Sequence, residues 1–234
     1  MKIALLGYGK MGKMIAQIAT ERGHEIVLTH QGGAIESFNG AQVAIDFSTP
    51  EAAVKNILMA FEKRVPVICG TTGWLSEMEI VKSACVKYET AFMYASNFSL
   101  GVNLFFKLNE QLAALMKPHG YKTQIEEIHH IHKLDAPSGT AITLAEGVLA
   151  QQELSGWSLV DQDLKTVTNS LPITSKREGE VPGTHTVSYT SDVDTLEIKH
   201  SAHNRTGFAL GAVVAAEWIK DKKGIFNMSD VLAQ

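Results

Sequence analysis

The chain has too few cysteines for a disulfide framework: two in 234 residues, Cys69 and Cys85, without the paired spacing of a zinc site. It has no excess of positive charge either. Against 21 basic side chains stand 25 acidic ones, a net charge of −4, so nothing draws the whole chain to nucleic acid or an anionic membrane. No apolar run is long enough to span a bilayer, and the start of the chain lacks a charged segment followed by a long apolar stretch. These absences lead us to expect a cytoplasmic protein in a reducing compartment, with neither nucleic acid nor membrane as a partner. Any anionic ligand has to be held locally. Repeats and low-complexity tracts are also missing, and 45% hydrophobic with 20% charged residues excludes a disordered or fibrous chain. The length allows one large domain or two modest ones. In surplus is histidine, nine in all, with three inside positions 129–132.

The first half alternates strand and helix. Lys2–Leu6, Glu25–Thr29, Gln42–Phe47, Val65–Cys69 and Ala91–Ala95 read as apolar strands, with helices after the first, third and fourth. The helix from Pro50 has Thr49 as its expected cap and Glu51 at its positive end. Strands apolar on both faces suit a parallel sheet covered by helices, hence a doubly wound α/β fold. The segment between the second and third strands is too short for a full crossover helix and carries three glycines, so a turn of helix at Ala34–Phe38 is the most it can hold. After Leu100 come a helix to about Met116, a strand at Thr123–His132, a helix at Ser138–Gln152, and antiparallel strands at Ile173–Lys176, Thr186–Ser191 and Thr195–Ser201. A strongly apolar last helix, Thr206–Lys220, is expected to return to the first domain. The expected domains are 1–97 with 206–234, and 98–205: a Rossmann-type parallel sheet followed by an α+β domain with a mixed sheet.

Gly7-x-Gly9-x-x-Gly12 closes a strand and opens a helix, the context that gives this motif meaning. The first glycine permits the turn, the second lets a pyrophosphate approach the backbone, and the third lets helix and strand pack closely. The helix N-terminus favours the anion. The carboxylate that grips the ribose of NAD about 20 residues on is absent; Thr29, His30 and Gln31 stand there. Neutral groups do not repel a 2′-phosphate and Lys10 can attract one, so both NADH and NADPH remain open. Gly70, Thr71 and Thr72 follow the fourth strand, and Ser96, Asn97 and Phe98 the fifth. Both loops lie at the strand ends where open α/β sheets bind ligands, and together they read as nicotinamide-side contacts.

The richest passage is EIHHIHKLDAPSGTA, residues 127–141. Period two puts His129, Ile131 and Lys133 on one strand face and His130 and His132 on the other. Along an ideal strand His129 and Lys133 would be roughly 13 Å apart, so a bend near Lys133 is required for both to serve one substrate. Pro137 then starts a helix whose first turn, with Ser138, Gly139 and Thr140, forms a carboxylate cradle; His130 and Lys133 add positive charge. Imidazole, ammonium and helix N-terminus suit a small dianion in proton-coupled chemistry. Zinc on His130 and His132 is the rival, but no cysteine or suitably spaced acid completes a set, so no metal is expected.

The segments GYGKMG, GTTGW, ASNFSLGVN, EIHHIHKLDAPSGTA, KREGEVPGTH and LEIKHSAHNRTGFALGA, which span most of the chain, resemble the dihydrodipicolinate reductase family of the diaminopimelate route to lysine. The resemblance implies a Rossmann domain, a mixed α/β domain that binds substrate, a homotetramer, and NADH or NADPH as cofactor. It implies nucleotide contacts at Gly7, Tyr8, Gly9, Lys10, Met11 and Gly12, at Gly70, Thr71 and Thr72, and at Ala95, Ser96, Asn97 and Phe98. His129 matches the family's proton donor/acceptor and Lys133 its proton donor, while His130, Gly139 and Thr140 match contacts to a small cyclic dicarboxylate, with Ser138 in the same cradle. The reaction implied is hydride delivery to C4 of that substrate with protonation of the adjacent carbon. Arg177, Gly179, Gly183 and Arg205 are read as structural or interfacial, and His132 has no assigned role. Two other readings stand beside this one: another Rossmann dehydrogenase of a small amino acid, of the aspartate dehydrogenase kind, and a non-catalytic nucleotide sensor.

Overall fold

The computed structural model describes residues 1–160 and 168–233. They form two compact units, Met1–Leu100 with Thr206–Gln234, and Gly101–Arg205. The first break lies three residues beyond the expected one, because Phe98 and Leu100 pack into the core of the first unit.

The first unit is built on six parallel strands: β1 (Lys2–Leu6), β2 (Glu25–His30), β3 (Val43–Asp46), β4 (Val67–Cys69), β5 (Ala91–Tyr94) and β11 (Gly224–Phe226), in the order β11-β5-β4-β3-β1-β2. Alternate residues of the central strands feed two cores. Ile3, Leu5, Val43, Ile45, Ile68 and Met93 meet α1 (Lys10–Glu21) and α6 (Thr206–Ile219) on one face. Ala4, Leu6, Ala44, Val67 and Phe92 meet α2 (Pro50–Glu62) and α3 (Met78–Lys87) on the other. That double burial explains why these strands read as unbroken apolar runs. α6 is thus the returning helix, with Ala209, Ala212, Val213, Ala215 and Ala216 all fully buried.

Three expectations change here. No helical turn forms at Ala34–Phe38; Phe38 is buried without one, and the Asn39 side chain donates to the Val27 carbonyl oxygen at 3.0 Å, pinning the loop in place of a helix. Thr49 occupies the cap position of α2, but its side chain accepts no bond from the helix. The helix at 206 is not the last: β11 and a short α7 (Met228–Leu232), capped by Asn227 with a reciprocal Asp230 bond, follow it.

The second unit has a mixed sheet of β6 (Lys122–His129), β7 (Trp157–Leu159), β8 (Leu171–Arg177), β9 (Thr184–Thr190) and β10 (Thr195–Ser201), ordered β10-β9-β6-β8-β7. Its helices are α4 (Leu100–Met116) and α5 (Gly139–Leu149). β9 and β10 are antiparallel as expected. β8, expected to be antiparallel, runs parallel to β6: alternation shows which face a strand buries and carries no direction. β6 also ends earlier than expected, at His129, and the bend anticipated near Lys133 comes at Ile131–His132, where the Lys133 N–H reaches the His130 carbonyl oxygen. No helix among the described residues is long and apolar enough to cross a membrane.

Candidate active site

In the first unit the ligand edge is built from glycines with different tasks. At Gly7 (φ 99°) a Cβ would lie 2.1 Å from the Phe47 carbonyl oxygen, and at Gly12 it would lie 2.2 Å from the Gly7 carbonyl oxygen, so both are required for the chain to pass. At Gly9 a Cβ would meet nothing within 4 Å. Gly9 is the N-cap of α1, without a side-chain cap and without an acid in the first turn, which leaves the helix N-terminus available to an anion. Gly9, Lys10 and Met11 line an open pocket of about 360 Å³ with Phe47, Ser48, Gly70, Thr71 and Thr72. The absent side chain at Gly70 makes room for the Phe47 ring. A dinucleotide's pyrophosphate fits this arrangement: an uncapped helix, a bare approach at Gly9 and a lysine beside it.

Other expected nucleotide residues are already engaged. Tyr8 and Met11 pack partly against the core. The Thr71 hydroxyl donates to Asp46 at 2.5 Å and accepts from the Ser48 N–H at 2.8 Å. Phe98 is 1% exposed and belongs to the core, so only its backbone is available to a ligand. Asn97 accepts the Ser99 N–H, while Ala95 and Ser96 follow β5. The sequence reading did not single out Asp46, a fully buried carboxylate at the end of β3 that also accepts from Ser48 and Asn56. Burial pushes its pKa up, against the opposing pull of those donors. At the ribose position His30 is buried, and its Nε2 has no partner.

In the second unit the register of three strands makes the site. On the helix-covered face, Thr123 and Tyr189 fall in one row, then Ile173, Ile125 and Val187, then Ser175, Glu127 and His185. Arg177 pairs with His129 in the next row, and Gly183, just before β9, lies against the His129 ring. An apolar core therefore turns polar at one end of the sheet. Glu127 is fully buried. Its carboxylate accepts the Ser138 N–H on both oxygens at 3.1 Å and the Ser175 hydroxyl at 2.7 Å, with Arg177 at 3.4 Å. His129 Nδ1 stands 3.3 Å and His185 Nε2 3.7 Å from its other oxygen. Burial alone would raise the carboxyl pKa, but contacts from His129, His185, Ser138 and Ser175 outweigh it and hold the group well below the usual range. His185 is held below its ordinary value, first by burial.

Ser138 caps α5: its Oγ accepts the Ala141 N–H and lies 3.1 Å from His185 Nε2. It is buried, with its polar atoms already taken by the protein. Gly139 is exposed and Thr140 half-buried at the head of the same helix. The Lys133 ammonium donates to both oxygens of Asp135, at 2.7 and 2.8 Å. Burial alone would raise the pKa of the Asp135 carboxyl, but the hydrogen bond and charge of Lys133, together with a backbone hydrogen bond, hold it below its ordinary value. Arg177 donates to the Lys133 and Asp135 carbonyl oxygens, so it braces the loop that carries the lysine. His130 is half-buried, and His132 forms an exposed pair with Glu180.

His130 and His132 thus do not converge on a shared metal set. Glu127, His129 and His185 do lie close, one ligand atom from each within 4.8 Å of the others. The Glu127 oxygens, however, already accept from Ser138 and Ser175 and face Arg177, donors that a cation would have to displace. Glu127, Ser175, His185 and the room at Gly183 escaped the sequence reading. One signal was present: Glu127 lies two residues before His129, on the same strand face.

Comparison with known proteins gives concordant matches. The family model described as dihydrodipicolinate reductase, N-terminus, matches residues 1–98, and that described as dihydrodipicolinate reductase, C-terminus, matches residues 101–232. A 4-hydroxy-tetrahydrodipicolinate reductase from Christiangramia forsetii is 53% identical over 239 residues, covering 100% of this chain and 98% of its own. One from Archaeoglobus fulgidus is 35% identical, covering 99% and 100%. Among solved structures, a dipicolinate-bound dihydrodipicolinate reductase from Paenisporosarcina sp. TG-14 superposes with a TM-score of 0.77 at 20% identity, over 97% of each chain. An aspartate dehydrogenase from Thermotoga maritima shares the fold, with a TM-score of 0.50 and 14% identity over 97% of this chain and 99% of its own.

Proposed function

The chain belongs to the dihydrodipicolinate reductase family, and from that premise we propose that it reduces 4-hydroxy-tetrahydrodipicolinate to tetrahydrodipicolinate with NADH or NADPH. When bound, the nucleotide supplies a hydride. The first unit holds it, with the pyrophosphate on the α1 N-terminus at Gly9 and Lys10 beside the 2′-position. The second unit holds the dicarboxylate, one carboxylate at the head of α5 at Gly139 and Thr140, with His130 and Lys133 supplying positive charge.

The observation that carries this reading is the cluster at the end of β6: an imidazole backed by a buried carboxylate, beside an ammonium on a braced loop and the head of a helix. Hydride addition leaves negative charge on the ring of the acceptor, and a nearby cation lowers the barrier by stabilising it. Lys133 is that cation, and it exchanges its Asp135 pairing for the substrate. His129 delivers the proton. Ser138 supports the cradle as the cap of α5 rather than touching substrate.

The test is a coupled assay in which pyruvate and aspartate semialdehyde are condensed by the synthase while NAD(P)H absorbance is followed. Absence of enzyme-dependent oxidation with either nucleotide refutes the reading. Binding of nucleotide without oxidation returns the nucleotide-sensor reading, and turnover of an amino acid instead returns the dehydrogenase one. The ratio of efficiencies with NADPH and NADH should fall in Lys10→Ala; an unchanged ratio removes Lys10 from the 2′-position.

We also infer a homotetramer. The outer face of the second unit's sheet, with Gln124, Glu126, Lys176 and Thr186, lies opposite the rows that α4 and α5 cover, and we infer that other copies pack on it. A sedimentation mass near that of one 25.5 kDa chain refutes it. The two cysteines are buried and unpaired, in keeping with a cytoplasmic setting.

A further inference from the structure

We infer that Glu127 is the positioning residue of the site: it fixes which imidazole nitrogen of His129 exchanges the proton, and Gly183 keeps that nitrogen uncovered. The inference rests on the reading of His129 given above and extends it from a residue to an atom.

The geometry is set by the sheet. His129 and Glu127 are two residues apart on one face of β6, and Nδ1 of the ring lies 3.3 Å from Glu127 Oε2, a charge contact without hydrogen-bond alignment, and makes no hydrogen bond elsewhere. A lone pair on Nδ1 would be repelled by the carboxylate, whereas an N–H is attracted, so the neutral ring carries its hydrogen on Nδ1. Nε2 is left as the exchanging nitrogen. A Cβ at position 183 would lie 3.1 Å from it, and the glycine there leaves this edge of the ring bare. In turnover the imidazolium gives its Nε2 proton to the carbon next to the hydride acceptor and becomes the neutral Nδ1–H ring beside Glu127. The proton lost from nitrogen forms the new C–H bond, and the positive charge of the ring disappears with it.

The groups around the ring support one orientation. From β8, Arg177 reaches Glu127 and the carbonyl oxygens of the lysine loop. From β9, His185 stands edge-on to His129, ring centroids 5.0 Å apart, and shares the same carboxylate. From the head of α5, the Ser138 N–H takes both carboxylate oxygens. One buried group therefore ties the proton donor to the helix that carries the cradle.

Two variants separate orientation from mere folding. The probe is ¹⁵N NMR of histidine-labelled protein, the His129 ring being assigned by its loss in His129→Gln. Wild type should show the neutral ring protonated at Nδ1. Glu127→Gln should lose that preference and lose about 10²- to 10⁴-fold in kcat, the range for a misplaced acid–base group, while KM and NADPH affinity stay within about threefold. Gly183→Ala should keep the Nδ1–H ring yet lose at least tenfold in kcat; because φ +153° at this position strains any side chain, a thermal melt of the variant is read beside it, and a ring that has lost its Nδ1–H in a folded variant overturns the role of Gly183. A wild-type ring protonated at Nε2 overturns the inference, even if Glu127→Gln fails to fold. So does wild-type turnover in either variant. If wild type oxidises no NAD(P)H in the coupled assay, the functional reading fails while the NMR result still decides the ring orientation.

Discussion

Gly9→Ala is expected to make the free protein more stable and the nucleotide complex weaker, and the two effects have separate causes. Gly9 has φ −77° and ψ −155°, values an alanine can adopt, and its Cβ would meet nothing within 4 Å. With no strain to offset it, the smaller entropy of the unfolded chain adds about 0.4–1 kcal/mol. For a chain of this size that raises Tm by about 1–4 °C. The open space is, however, where a pyrophosphate must come against the backbone. A methyl group there costs at least one N–H bond to a charged oxygen, about 1.5–3 kcal/mol, which is about 10- to 150-fold in Kd. Calorimetric titration with NADPH and thermal melting of the free protein measure the two quantities on one sample. Gly12→Ala is the contrast: its Cβ would stand 2.2 Å from the Gly7 carbonyl oxygen, a backbone atom unable to yield, so overpacking should destabilise by about 1–3 kcal/mol or more. If Gly9→Ala binds NADPH as tightly as wild type, the glycine loop does not hold the pyrophosphate and the reasoning fails.

Lys133→Ala and His129→Gln should each lower kcat by about 10²- to 10⁴-fold while leaving NADPH affinity within a few-fold, because their charge and proton act in the transition state; equal losses of nucleotide binding contradict these roles. Acid should weaken the fold through Glu127. Its folded pKa lies below the ordinary value of 4.5, so its contribution is complete above that pH and drains away as pH falls below it. Urea unfolding at stepped pH should therefore show wild type losing stability below about pH 4.5 more steeply than Glu127→Gln, and parallel curves would rule this out. Burial pushes the Cys85 thiol up to about 11 and Cys69 higher still; at pH 8 a thiol reagent should label neither in the native protein and both after unfolding, and fast native labelling would show that the cysteines are open.

The ends of single elements were legible because they are local chemistry: the Gly7–Gly12 turn, Pro50 at the start of α2, and the run from His129 to Thr140 each announce themselves by residue type. Residues that meet only across the sheet were not. Ser175 and His185 become neighbours of Glu127 through the register of β8 and β9, some 48 and 58 positions along the chain, and no single-strand pattern encodes that register. The parallel course of β8 was lost for the same reason. In the first unit Asp46 was passed over because a lone acid after VAI reads as the end of a strand; its donors come from Ser48, Asn56, Cys69 and Thr71 on separate elements. β11 is only Gly-Ile-Phe, too short to show periodicity, and its place is set by pairing with β5.

The return of the chain to its first unit has a consequence for synthesis. Residues 1–100 emerge from the ribosome with Ile3, Leu5, Ile15, Ile45, Ile68 and Met93 arranged to receive α6, yet α6 is made only after the 105 residues from Gly101 to Arg205. At about 5–20 residues per second the nascent sheet waits roughly 5–20 s with that face uncovered. The second unit, contiguous in the chain, can finish first. The order of completion is thus the reverse of the order of translation, and the half-made nucleotide domain is the species most in need of a chaperone.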